Sequence, residues 1–127
     1  MLYGTPQAGS NTGGAGLNIT SLEAGQNLTL LDGTETVVSG SASISFSKGF
    51  HDAGQYPITF NISGCSNGSV VEVQVAGADV AAKYLTIATP GITSGNGAYT
   101  DSGASPFRRI LISTFAAGDV PVVVATR

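Results

Sequence analysis

A two-residue hydrophobic period, broken by glycine-containing turns roughly every ten residues, dominates the chain after residue 17. The period is clearest in residues 41–47, where Ala42, Ile44 and Phe46 alternate with serines. It continues in residues 58–62, with isoleucine and phenylalanine on one face, and in residues 71–75, with valine on one face. Because successive side chains of a strand point to opposite faces, these runs predict strands with one buried face and one face in water.

Shorter runs rich in β-branched residues predict further strands, at residues 17–22, 27–31, 35–38, 83–89, 107–115 and 120–125. We expect Leu85 and Ile87 to point inward. Residues 116–119 have the length of a hairpin connection between the last two runs. Pro121 cannot donate to a ladder and therefore favours an edge strand or a bulge.

Turn residues separate these runs. Residues 31–34, Leu-Asp-Gly-Thr, predict a hairpin turn and local pairing of the early strands. Residues 48–54 are typical of a long turn, and residues 78–83 are the one candidate for a helical turn. About eight or nine short strands in one domain must form two packed sheets or close on themselves, since a single sheet would leave an apolar face bare.

The predicted fold is therefore an all-β antiparallel β-sandwich, jelly-roll or immunoglobulin-like, in one domain over residues 17–127. At 127 residues the chain is long enough to bury a core without disulfides. Residues 4–16 consist mostly of Gly, Ser, Thr, Asn, Gln and Ala with almost nothing to bury, which predicts a flexible N-terminal arm over residues 1–16. The arm is either a disordered tail or a segment that orders on a neighbouring subunit, and the residues leave both open.

The longest irregular stretch is residues 90–106, which carries Tyr99 and Asp101. Loops beyond about 12 to 15 residues are usually functional or disordered. The stretch is a candidate contact surface, a mobile loop, or a loop that contains one extra edge strand around residues 98–100.

The charge pattern argues against nucleic acid as a partner. Five basic and eight acidic residues give a net charge of -3, and the one adjacent basic pair, Arg108 and Arg109, lies in an apolar run. That pair fits a strand face that meets solvent or a protein carboxylate. No apolar run approaches the roughly 20 residues that span a bilayer, and no secretion signal begins the chain, so we expect a protein made in a cytoplasm that does not enter a membrane.

The ionisable residues predict neither catalysis nor a metal site. His51, the only histidine, is followed by Asp52, but an adjacent His-Asp pair on a loop does not by itself supply the geometry of a Ser-His-Asp triad. One histidine and one cysteine, Cys65, cannot fill a zinc site. Calcium remains an alternative through Asp101 or Asp119 with loop carbonyls. We expect no enzyme activity, no catalytic residue and no cofactor.

The last third of the chain resembles the end of small β-sandwich domains in tailed-phage structural proteins, where an arginine-bearing strand turns through a glycine-containing loop into a valine-rich strand. The residues concerned are 84–87, 107–113 and 119–124. With the low-charge body and the glycine-rich arm, the whole chain looks like a phage capsid decoration, or cement, protein.

The resemblance implies a virion structural protein on the outer capsid surface, assembled in the host cytoplasm, that binds the major capsid protein as a homo-oligomer, with a trimer favoured. We expect protein contacts from the arm and the long loop, at Leu2, Tyr3, Tyr99, Asp101, Arg108 and Arg109. The alternative is a carbohydrate-binding or host-recognition module of a tail fibre or cell-surface protein, using an exposed tyrosine such as Tyr99.

Overall fold

The computed structural model of the chain describes residues 9–10, 17–19, 25–33, 46–52, 54–90 and 95–127. Within those ranges the strands are β1 (Gly9–Ser10), β2 (Leu17–Ile19), β3 (Asn27–Asp32), β4 (Phe46–Asp52), β5 (Ile58–Ser63), β6 (Val70–Ala76), β7 (Leu85–Ala88), β8 (Gly97–Asp101), β9 (Phe107–Thr114) and β10 (Val122–Thr126). A 3-10 helix at Ala81–Lys83 confirms the predicted helical turn.

The strands form two sheets. One has the order β1-β4-β9-β6-β7, with β2 also pairing with β4, and the other has the order β3-β10-β5-β8. Between these ten strands every pairing is antiparallel except that of β2 with β4. The fold is therefore the predicted all-β sandwich, with a six-stranded sheet packed on a four-stranded sheet.

The core lies between the sheets and follows the two-residue period. On β5 the side chains of Ile58, Phe60 and Ile62 are buried while those between them face outward. Among the residues whose burial is described, fourteen make one cluster: Leu28, Leu30, Leu31, Phe50, Ile58, Phe60, Ile62, Cys65, Val71, Val73, Ile110, Ile112, Val123 and Ala125. Each large aliphatic or aromatic member contributes about 1.5–3 kcal/mol by burial.

The predicted hairpin between the last two strands is wrong. β9 lies between β4 and β6 in the six-stranded sheet, while β10 lies between β3 and β5 in the other sheet. The segment from Phe115 to Pro121 is long enough to cross the roughly 10 Å between packed sheets. The edge strand predicted from Pro121 is also not observed, since β10 is a central strand of its sheet. Pro121 precedes β10 and lies outside the ladder, so its missing N–H breaks no pairing.

β3 pairs with β10, the last strand. The predicted local partner of β3, residues 35–38, lies outside the described residues. Two other predictions need correction. The predicted turn at residues 48–54 is mostly strand, since β4 continues to Asp52. Leu85 is 68% exposed because β7 ends its sheet, whereas Ile87 is half-buried against the core.

The extra edge strand within residues 90–106 is present as β8, the end strand of the four-stranded sheet. The predicted strands at residues 35–38 and 41–45 lie outside the described residues, as does most of the arm. Of the arm, Gly9 and Ser10 are described, and they pair with Gly49 and Lys48 of β4.

Candidate functional site

A buried guanidinium joins the two sheets at one end of the sandwich. Arg108 of β9 is fully buried, and its Nε donates to Asp101 Oδ2 of β8 at 2.8 Å. Its Nη1 donates to Asp52 Oδ2 of β4 at 3.2 Å, and its Nη2 donates to the Gly103 carbonyl at 3.0 Å. Both carboxylates also accept main-chain N–H groups, from Gly54 and Tyr56 to Asp52 and from Gly103 to Asp101. The cluster therefore closes on itself and holds the sheets together.

The same strand geometry separates the candidate catalytic pair. His51 and Asp52 are neighbours in β4, so their side chains leave the sheet on opposite faces. Asp52 turns inward to Arg108, while the His51 ring stacks on Phe107 on the outer face, with centroids 4.5 Å apart. Asp52 therefore does not orient His51 as the third member of a catalytic triad would.

A second buried carboxylate holds the opposite end of the sandwich. Asp119, in the connection between β9 and β10, accepts the main-chain N–H groups of Asn67 at 2.8 Å and Ser69 at 3.0 Å. Ser69 Oγ in turn accepts the N–H of Ala116. Burial alone would raise the pKa of Asp119, but the hydrogen bonds from the Ser69 hydroxyl and the two N–H groups outweigh it and lower the pKa.

Cys65 lies beside this second carboxylate in the turn after β5. The thiol is buried and forms no disulfide, and its Sγ donates to the Ser63 carbonyl at 3.8 Å. Burial, reinforced by the negative charge of Asp119, raises the pKa of the thiol. A raised pKa makes the thiolate scarce at neutral pH, the opposite of what a nucleophilic cysteine needs.

Arg109 points to the outer face of the six-stranded sheet and begins a chain of polar contacts. Its Nε donates to Gln74 Oε1 at 2.7 Å, and its guanidinium lies 3.9 Å from the centre of the Tyr84 ring. Tyr84 donates to Asp79, and Gln74 donates to Thr86. Burial lowers the pKa of Arg109, although Tyr84 and Asp79 act in the opposite direction. Around Arg109 the outer face is thus covered by side chains of the sheet and of the segment after β6.

The outer face of the four-stranded sheet differs in that it is almost free of charge. The strand register places on it side chains that are all hydroxyl, amide or small aliphatic: Asn27, Thr29, Thr59, Asn61, Ser63, Ala98, Thr100, Val122, Val124 and Thr126. We call this set the neutral face. None of its members is buried. Asp32, at the end of β3, is the only charged side chain that the described strands place at its margin.

The neutral face is an array of rows that run across the strands. One row is Asn27, Thr126, Thr59 and Thr100, and the next is Thr29, Val124, Asn61 and Ala98. Neighbouring strands are about 4.8 Å apart and successive rows about 7 Å apart. Hydroxyls link the first row, with Thr59 and Thr100 oxygens 2.7 Å apart and Thr126 donating to Asn27 Oδ1 at 2.9 Å. Each hydroxyl retains capacity for a further hydrogen bond to a partner.

The tyrosines offer little as sugar-stacking platforms within the described residues. Tyr84 is buried under Arg109, and the Tyr56 ring is covered by the Arg127 guanidinium at 3.6 Å. Tyr99 of β8 points inward and packs partly against the core.

The predicted contact residues have different positions in the structure. Asp101, Arg108 and Arg109 are buried and occupied by contacts within the chain, so their side chains supply almost no exposed surface. Tyr99 is half-buried in an end strand. Leu2 and Tyr3 lie outside the described residues. The threonines and asparagines of the neutral face were missed, although the alternation of Thr59, Asn61 and Ser63 with buried residues was a visible signal.

The described residues contain no group of three or more His, Cys, Asp or Glu side chains that could hold a metal ion. The two carboxylates considered for calcium, Asp101 and Asp119, accept N–H donors instead. Across the same residues, no helix has the length and apolarity needed to cross a membrane.

Fold and surface together define an all-β two-sheet sandwich with one neutral outer face. No protein-family model, curated protein or solved structure matches the chain.

Proposed function

We propose that the chain is a non-enzymatic structural protein of a phage virion, which decorates and stabilises the capsid by binding the major capsid protein shell through its neutral face. The observation that carries the proposal is the neutral face itself, four strands wide with Asp32 at its margin as its one described charge. The proposed location is the outer capsid surface, after assembly in the host cytoplasm.

Physical reasons favour this face as the docking surface. Burying an uncharged hydroxyl or amide costs far less than burying a charge, and the partner can replace the lost water with hydrogen bonds. Val122 and Val124 at the centre of the face, with the threonine methyl groups, add apolar area. The side chains stand on a paired sheet, so little conformational entropy is lost when they bind.

A stable scaffold is the second support. The described sandwich has no buried side-chain polar atom without a hydrogen-bond partner. Its two ends are held by Arg108 with its carboxylates and by Asp119 with its amides. Such a rigid domain suits a protein whose function is to bind another protein through its surface. The alternative, a carbohydrate-binding module, needs an exposed tyrosine ring, and the described tyrosines are covered by arginines or packed against the core.

The direct test is the protein content of purified virions from a lysate in which the chain is expressed. The proposal predicts that the chain is present in stoichiometric amounts on intact particles and rebinds to stripped particles. Absence from particles would contradict it.

The surface is tested with matched variants. Asn61→Asp keeps the side-chain shape but places a charge on the neutral face. Ser63→Asp places a charge at a second exposed position of the same face. Each is expected to weaken rebinding by about tenfold or more, since an uncompensated charge would be buried. Ser113→Asp, in β9 of the other sheet, is the control and should bind as the wild type does. Equal loss in all three variants would refute the neutral face as the docking surface.

A further inference from the structure

The end strands of the sandwich differ in how regular their ladders are. The ladder of β3 with β10 has a register shift at Val123/Val124, and that of β7 with β6 has one at Val73/Gln74. β8 pairs with β5 without interruption over all five of its residues. A bulge twists an edge and discourages pairing with another chain. Of these three ends, β8 is therefore the one whose outer side presents a regular row of main-chain groups that no other described strand pairs with.

The sequence of β8 also lacks the other common protections of an edge. Gly97–Asp101 contains neither proline nor lysine. Its one charge, Asp101, is turned inward and held by Arg108 at 2.8 Å. The side chains that flank the edge on the neutral face, Ala98 and Thr100, are exposed, small and uncharged.

We infer that β8 pairs in antiparallel fashion with β8 of a second copy of this chain, about a two-fold axis through Tyr99. Opposite residues in an antiparallel pair must point to the same face. With the axis at Tyr99, Ala98 lies opposite Thr100 of the partner subunit on the neutral face, and Gly97 lies opposite Asp101 of the partner subunit on the inner side.

The strand is complementary to itself in this register. Axes through Ala98 or Thr100 also keep the faces aligned, but only the axis through Tyr99 pairs all five residues of the strand. No like charges meet, because each Asp101 is opposite a glycine and already bound to Arg108. This match of register and charge is why a second copy, rather than an unrelated strand, is the partner we assign.

Pairing would join two four-stranded sheets into one sheet of eight strands, with both neutral faces on the same side. A two-fold axis closes the assembly as a dimer, which differs from the trimer that the resemblance to decoration proteins implies. The dimer does not rest on the proposed capsid binding, because it can be measured with the chain alone in solution. A single pair of five-residue strands buries less than a standard interface of about 1,600 Å², so the association is expected to be weak.

Charge-swap variants test the pairing and its register. The double variants Ala98→Lys/Thr100→Lys and Ala98→Glu/Thr100→Glu each place like charges opposite one another in the pair. Sedimentation equilibrium should show at least tenfold weaker self-association for each variant alone and recovery when the two are mixed. Thr114→Lys, an exposed threonine on the other sheet, is the control and should associate as the wild type does.

Three results would overturn the inference. The first is that the wild-type protein keeps the 12.7 kDa mass of one chain up to about 1 mM. The second is that the mixture of the lysine and glutamate double variants stays monomeric. The third is that the Thr114→Lys control loses association as fully as the double variants do. If a double variant fails to fold, as judged by circular dichroism, the single variants Ala98→Lys and Thr100→Glu form one opposed pair and are mixed instead. Failure of this pair to associate would equally overturn the inference.

Discussion

Replacing Arg108 by methionine removes the guanidinium that joins the two sheets but keeps an unbranched, apolar side chain of similar length. Three hydrogen bonds are lost, to Asp101, Asp52 and the Gly103 carbonyl, all at a fully buried position. Two carboxylates then face each other inside the protein without a counter-charge. Breaking a buried ion pair in this way costs about 3–5 kcal/mol.

The magnitude is moderated by the N–H donors that remain on both carboxylates, from Gly54 and Tyr56 and from Gly103. We therefore expect a loss of about 3 kcal/mol, at the lower end of that range. With a urea dependence of roughly 2 kcal/mol per molar, the unfolding midpoint should fall by about 1.5 M at pH 7. The second-site change Asp101→Asn should recover part of the loss, because it removes one of the two facing charges.

Arg109→Met is the matched control in the adjacent position. Arg109 bonds to the neutral amide of Gln74 and stacks over Tyr84 on the outer face, so its loss should cost about 1–2 kcal/mol. Equilibrium urea unfolding followed by circular dichroism measures both variants. A loss below about 1 kcal/mol for Arg108→Met, or a larger loss for Arg109→Met, would refute the view that the buried cluster holds the sheets together.

Three further predictions concern the other end of the sandwich. Asp119→Ala should cost about 2–4 kcal/mol in urea unfolding at pH 7, because it leaves two N–H groups without an acceptor. Hydrogen bonds hold the pKa of Asp119 below its ordinary 3.8. The stabilisation linked to its ionisation is therefore complete above about pH 5 and is lost as the pH falls through the folded-state pKa, so the wild-type and variant stabilities should approach each other in acid. A difference that stays constant from pH 7 into acid would contradict this. Gly64→Ala should destabilise by more than about 2 kcal/mol, because Gly64 has φ +80° and an added Cβ would lie 2.1 Å from the Val120 carbonyl oxygen. Gly68→Ala is the control: Gly68 has φ +108°, but no atom lies near its added Cβ, so the change should cost only about 1 kcal/mol in the same assay. Cys65, buried with a raised pKa, should react with a thiol reagent only at the rate of unfolding, and rapid labelling of the native protein would show that the thiol is accessible.

The strands and their buried faces could be predicted where the hydrophobic period is strong. In residues 58–62, and for Val71 and Val73 in residues 71–75, the alternation alone identified the buried face, because the period of two is a local property of an extended backbone. The same reasoning misplaced Leu85, since a pattern does not say which strand will end a sheet. It also paired β9 with β10, since the length of a connection does not distinguish a hairpin from a crossing between sheets.

Composition and alternation by themselves determined that this chain forms an all-β sandwich of low charge, because both act through each residue's own preference for water or the core. Only the tertiary structure decided what Arg108 and Arg109 do, since the partners of Arg108 come from β4 and β8 and those of Arg109 from β6 and the segment after it. The neutral face likewise arises when β10 enters between β3 and β5 and aligns their threonines and asparagines. Pairing between residues so far apart depends on the whole packed core, and no local pattern encodes it.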